Sequence, residues 1–211
     1  PLTVCLKKGG DHCHALAGET KFLCVTGGSG CYSVHPSDTA VALLALDALV
    51  EVAGRGRMRI LPVEQYFAGP SVDVTRENIL ARDELVTRVY LQRPAEDSLR
   101  ESGRSSLYLK TGERAGGDFA LVSVAAVLIL NGPSIRRMPV VLGGVAPVPY
   151  RAFQVEAYLR GRPVGEVDAV FAASLALPNA NPLADNGYKI TLATNLVKRA
   201  ITRLLAPESQ D

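Results

Sequence analysis

Apolar positions along this chain change their spacing from one stretch to the next. Over the first 37 residues no period is sustained. Glycine and polar residues interrupt the apolar ones, with Gly9-Gly10 and Gly27-Gly28-Ser29-Gly30 as breakers, so a long irregular loop is expected. Loops of that length inside compact domains are usually functional or tied down. An Ala/Leu-rich stretch then predicts a helix over 39–49, capped by Ser37 or Asp38. A strand over 50–53, a turn at Gly54-Arg55-Gly56-Arg57 and a return over 58–62 read as a hairpin, with a short helix over 62–67. Residues 85–91 alternate apolar and polar as a half-buried strand does.

Residues 94–106 are polar and charged and read as a linker. Beyond them come a strand over 106–110, a loop with Arg114 and Asp118, and an apolar run over 119–130. The turn Asn131-Gly132 returns the chain through 135–143, which makes an antiparallel sheet. Helices are expected over 153–160, 164–175 and 188–205. In the last, Leu192, Leu196, Ala200 and Leu204 recur at helical spacing and should cover one sheet face. The fold class is therefore α+β, divided into 1–95, which includes an irregular cysteine-bearing part over 1–37, and 104–207, a small antiparallel sheet packed on about three helices.

With 211 residues, 47% of them apolar, and a net charge of +2, the chain has an ordinary globular composition, and nothing in its charge argues for nucleic acid or membrane binding. Its longest apolar run is too short to span a bilayer, and no targeting segment is visible, so a cytoplasmic setting is expected. The chain opens on Pro1 instead of Met, and an earlier segment is expected. All four cysteines fall within the first 31 residues, which in a reducing compartment favours metal binding or plain thiols over a disulfide framework.

Cys5 and Cys13 stand eight apart around Lys7-Lys8-Gly9-Gly10, and Cys31 follows a glycine-rich approach to His35-Pro36-Ser37-Asp38. Three readings stay open on these residues: iron–sulfur ligands, buried thiols, or zinc with His12, His14 and His35. No two-residue cysteine spacing of the usual zinc kind is present. Cys24 lies in an apolar stretch with Phe22, Leu23 and Val25. Asp38, at a helix start, can cap the helix or offer an oxygen to a ligand hydroxyl. Lys110 reads alone as a solvated strand lysine, and Arg114 and Asp118 as a pair across a turn.

The Cys-Leu-Lys-Lys-Gly-Gly-Asp-His-Cys run, the Ser37-Asp38 pair, Asp83-Glu84-Leu85-Val86-Thr87, Tyr108-Leu109-Lys110 with Arg114 and Asp118-Phe119-Ala120, and Leu142-Gly143-Gly144-Val145-Ala146-Pro147 resemble the flavin (medium) subunits of molybdenum hydroxylases, the xanthine and carbon monoxide dehydrogenase family. The cysteine run is similar to the branch with a 4Fe-4S insert, such as 4-hydroxybenzoyl-CoA reductase. The resemblance implies that 1–95 is the remainder of the second FAD-binding subdomain and 104–207 the family's C-terminal subdomain. It implies FAD contacts from Asp38, Val86 and Lys110, and cluster ligation by Cys5, Cys13 and Cys31 with a fourth ligand upstream. It further implies two partners, a molybdenum-cofactor large subunit and a small 2Fe-2S subunit, in an electron-transferring complex in which no residue of this chain is a catalytic nucleophile. The alternatives are a docking module that holds no FAD alone and a zinc-binding domain.

Overall fold

The computed structural model describes residues 4–91, 104–114 and 117–206. It is built on two antiparallel sheets. The strands β1 (Leu49–Gly54), β2 (Arg57–Pro62) and β3 (Leu85–Tyr90) form one, in the order β2-β1-β3. The second contains β4 (Arg104–Thr111), β5 (Val122–Asn131), β6 (Ser134–Arg137), β7 (Val140–Gly143) and β8 (Tyr150–Arg151), in the order β4-β5-β7-β8 with β6 also paired to β5. Helix α1 (Asp38–Ala45) lies between the sheets, and α2 (Phe153–Leu159), α3 (Ala169–Ser174) and α4 (Tyr188–Leu205) cover the far side of the second.

Strand β5 explains why the apolar run reads as continuous. Val122, Val124, Ala126 and Leu128 point into the core beneath the helices, while Ala125 and Val127 point into a second core with Val41, Leu44, Val50 and Val52. Successive strand side chains face opposite ways, so a strand buried on both sides has no polar phase. Close approach of α1 needs Gly143, where a Cβ would stand 2.8 Å from Val41 Cγ2 and 2.5 Å from Ser123 Oγ.

Most expected elements form, with four differences, three of which have local causes. Helix α1 stops at Ala45 because Asp47 takes a left-handed turn (φ 50°) into β1. Its carboxylate then pairs with Arg137 and Arg151. The expected strand over 135–143 divides at Met138-Pro139, since proline has no N–H for the ladder. The expected helix over 164–175 becomes a short 3-10 turn, Val164–Glu166, and then α3, because Asp168 accepts the N–H groups of Val170 and Phe171 and starts a new helix. The helix expected over 62–67 is a single 3-10 turn, Val63–Gln65. Most of the linker expected over 94–106 lies outside the described residues. Within the described part of the N-terminal loop the chain is irregular apart from 3-10 turns at Leu6–Lys8 and His14–Ala17. No described helix is long and apolar enough to cross a membrane.

Candidate functional site

The start of α1 and the middle of β4 meet. Ser37, not Asp38, caps the helix, its Oγ accepting the Ala40 N–H at 3.1 Å. Asp38 is thereby left free, and its Oδ2 accepts a hydrogen bond from Lys110 Nζ at 2.6 Å. Tyr108 and Lys110 lie two apart on β4, opposite Ala125 and Ser123 of β5, and so share the face turned toward α1. Burial, reinforced by the nearby Asp38 carboxylate, pushes the Tyr108 phenol up to about 12. The phenol therefore stays a protonated donor at physiological pH.

Two buried polar atoms in this neighbourhood have no hydrogen-bond partner, Ser123 Oγ and His35 Nε2. The His35 ring stacks edge-on against Phe67 at 4.9 Å, and burial lowers its pKa, which keeps it neutral. Past Lys110 the chain bounds an open cleft of about 500 Å³ lined by Thr111, Glu113, Arg114 and Asp118. Arg114 and Asp118 pair across this turn at 3.6 Å.

Beside that cleft is a smaller pocket of about 290 Å³, lined mainly by apolar side chains together with Glu113, Asp118 and Lys189. Lys189 is 1% exposed. Its Nζ donates to the carbonyl oxygens of Phe22 (2.9 Å) and Gly144 (2.8 Å), and burial brings its pKa down to about 8. Gly144 turns with φ 75°, and a Cβ there would lie 2.4 Å from Leu121 O, so only glycine presents this carbonyl to the amine.

The structure brings together two of the three residues expected at a cofactor, Asp38 and Lys110. Val86 lies in the other sheet, on β3 opposite Val52 of β1, and is about a third exposed. Cys5, Cys13 and Cys31 are half-buried in the N-terminal loop, and Cys31 Sγ lies 3.2 Å from Ser33 Oγ. Burial pushes the Cys24 thiol up to about 11. Among the described residues no three His, Cys, Asp or Glu side chains gather closely enough to hold a metal ion. Sequence reasoning passed over Lys189 and Tyr108. For Lys189 a signal existed: it stands four residues before Ala193, in phase with the buried stripe of α4.

Two family models match in succession. Residues 7–94 match the FAD binding domain in molybdopterin dehydrogenase, and residues 108–204 the CO dehydrogenase flavoprotein C-terminal domain. The chain thus belongs to the flavoproteins of the molybdopterin dehydrogenases. It is 35% identical over 199 residues to the aldehyde oxidoreductase FAD-binding subunit PaoB of Escherichia coli, covering 93% of this chain and 56% of that one. To the glyceraldehyde dehydrogenase medium chain of Sulfolobus acidocaldarius it is 31% identical over 150 residues, covering 71% of this chain and 49% of that one. Among solved structures, carbon monoxide dehydrogenase from Hydrogenophaga pseudoflava superimposes with a TM-score of 0.67 at 26% identity, over 79% of this chain and 55% of that one. The chain spans about half the length of the curated relatives it matches.

Proposed function

We propose that this chain contributes the FAD-bearing electron-transfer part of a molybdenum-dependent oxidoreductase complex. In this reading 1–95 belongs to the FAD-binding subdomain and 104–207 is a second, C-terminal subdomain. The observation that carries the reading is the Asp38–Lys110 contact, which joins segments 72 positions apart beside a cleft. The residues fit such a cofactor. A carboxylate oxygen and an ammonium offer an acceptor and a donor to its hydroxyl and carbonyl groups, and the partnerless Ser123 and His35 atoms supply further polar sites. Val86 offers an apolar contact in the same reading.

Bound FAD would supply the ability to accept and release electrons singly or in pairs. The chain's residues would hold and orient it, and none need form a covalent bond with substrate. The large molybdenum-cofactor subunit and the small 2Fe-2S subunit are the proposed partners, and the cytoplasm the proposed location. The relatives' names, an FAD-binding subunit and a medium chain, support an assembly of several chains.

Titration of the purified chain with FAD tests this reading. Asp38→Ala and Lys110→Met are each expected to weaken FAD binding about tenfold, because each loses a charge-assisted hydrogen bond, while thermal unfolding moves little. FAD affinity equal to wild type in both variants would place the cofactor elsewhere. No FAD uptake by the wild-type chain would favour the docking-module reading.

The N-terminal loop is proposed to hold a 4Fe-4S cluster through Cys5, Cys13 and Cys31, on the strength of its sequence resemblance. Iron analysis after anaerobic reconstitution is expected to show loss of iron in Cys13→Ser and retention in Cys24→Ser, whose thiol is buried and held protonated. Iron loss in the Cys24 variant instead would exchange the ligand assignment.

A further inference from the structure

Helix α1 is tied by ion pairs at both ends. At its start Asp38 meets Lys110 of β4. Two residues past its end, Asp47 accepts from Arg151 of β8 through Oδ1 at 2.8 Å, and from Arg137 of β6 through Oδ2. Lys110, Arg137 and Arg151 all belong to the second sheet, so both ends of the helix are fastened to one body. The turn at Asp47 does not account for the carboxylate. Its φ of 50° suits glycine or asparagine equally, so the acid is explained by the two arginines it holds.

The two anchors differ in rigidity. The Arg151 side chain is 15% exposed, and its fork also grips Glu156 of α2 through Nε and Nη2, at 2.8 and 3.1 Å. Glu156 Oε1 in turn accepts the Val140 N–H of β7 at 3.1 Å. A sheltered arginine held on both prongs has a fixed direction, so Asp47 is gripped by a group that α2 and β7 keep in place. Lys110 is a single ammonium on a flexible stem, more exposed, and cannot by itself set the position of a helix. The apolar packing of Val41 and Leu44 is non-directional, so it holds α1 close to β5 and β7 without fixing its place along its own axis.

We propose that Asp47 is a positioning residue for the cofactor site. Gripped by Arg151 and Arg137, it fixes where α1 ends, and through this short, stiff helix it fixes where Asp38 stands beside Lys110. Asp47 touches no cofactor in this account; it acts through Asp38. The inference rests on the flavin reading above.

FAD is titrated into the full chain and its fluorescence followed, with folding checked by circular dichroism. The variants are Asp47→Gly, Asp47→Asn, Asp38→Ala, the double variant Asp38→Ala/Asp47→Gly, and Asp168→Ala. Glycine keeps the left-handed turn and removes the carboxylate, and asparagine restores one acceptor for the arginines. Asp47→Gly is expected to weaken FAD binding about fivefold, and Asp47→Asn to recover part of that loss. Once Asp38 is gone, its position no longer matters, so the double variant should bind within about twofold of Asp38→Ala alone. Asp168→Ala removes the cap of α3 on the far side of the sheet, lowering stability without touching α1, and should keep wild-type FAD affinity. A folded Asp47→Gly chain with wild-type affinity overturns the inference. So do losses that multiply in the double variant, or an Asp168→Ala loss as large as that of Asp47→Gly. Should Asp47→Gly fail to fold, wild-type affinity in Asp47→Asn overturns it instead. Each of these results leaves the flavin reading standing, whereas a wild-type chain that takes up no FAD overturns both.

Discussion

Asp38 and Lys110 were each open to a plain reading as a helix cap and a solvated lysine, and in the structure they are paired with each other. Because Ser37 provides the cap, Asp38 has no structural task of that kind, and its oxygen is committed to a side chain of β4, 72 positions away. That these two would meet was read from the resemblance of their segments, since no local signal joins positions 72 apart. Lys189 was passed over despite its place in the buried stripe of α4, since a lysine on an amphipathic helix is ordinarily solvated. Its burial makes a pH prediction. The folded-state pKa, about 8, lies below the ordinary value of 10.5, so between those two pH values the unfolded chain holds more protons at this site than the folded one. Stability contributed by this group therefore rises with pH across that window, by at most about 1.4 kcal/mol per pH unit. Urea unfolding of wild type and Lys189→Met at about pH 7.5 and about pH 9.5 reads this directly: wild type should gain relative to the variant at the higher pH. A difference that stays constant or shrinks would mean that the two carbonyls hold the proton against desolvation.

Elements with a clear local signal came through intact: Tyr188–Leu205 follows from its one buried stripe, and the hairpin of β1 and β2 from the turn at Gly54-Arg55-Gly56-Arg57. The breaks in 135–143 and 164–175 were carried by single residues, Pro139 and Asp168, whose effects a window of apolar spacing averages away. The pairing of β3 with β1 joins segments more than thirty positions apart, and no local signal specifies it. The start of α1 offers a test at this scale. Ser37→Ala removes the oxygen that accepts the Ala40 N–H and should cost about 1 kcal/mol. Chemical denaturation measures that loss. Because Asp38 can turn back to cap the helix in its place, FAD affinity should fall together with stability. A stability loss with unchanged FAD binding would show that Asp38 keeps its place beside Lys110 without the cap.

Across the whole molecule, the long irregular loop is tied down by the segment that leads into α4. Asp185 accepts from the Thr20 backbone and hydroxyl (3.1 and 3.0 Å), Tyr188 Oη donates to Lys21 O (3.1 Å), and Asn181 N donates to Val25 O (2.7 Å). At the centre, Asn186 is fully buried: Nδ2 donates to Leu23 O and Cys24 O at 3.1 and 3.0 Å, and Oδ1 accepts the Leu183 N–H at 2.7 Å. Residues 20–26 belong to no named strand; backbone carbonyls accept the N–H groups of residues 23–26, and the bonds above satisfy the carbonyls of residues 21 and 23–25. Asn186→Ala leaves one donor and two carbonyls buried without those bonds, and a loss on the order of 2–4 kcal/mol is expected. If this segment acts as a clamp, the damage is local first. Hydrogen exchange should quicken at residues 21–26, with the paired amides of β4 and β5 changing only as far as global stability falls. Uniform acceleration over the chain would show instead that loop and sheet open as one unit. In the local case, Phe22 and the carbonyl it gives to Lys189 would loosen too.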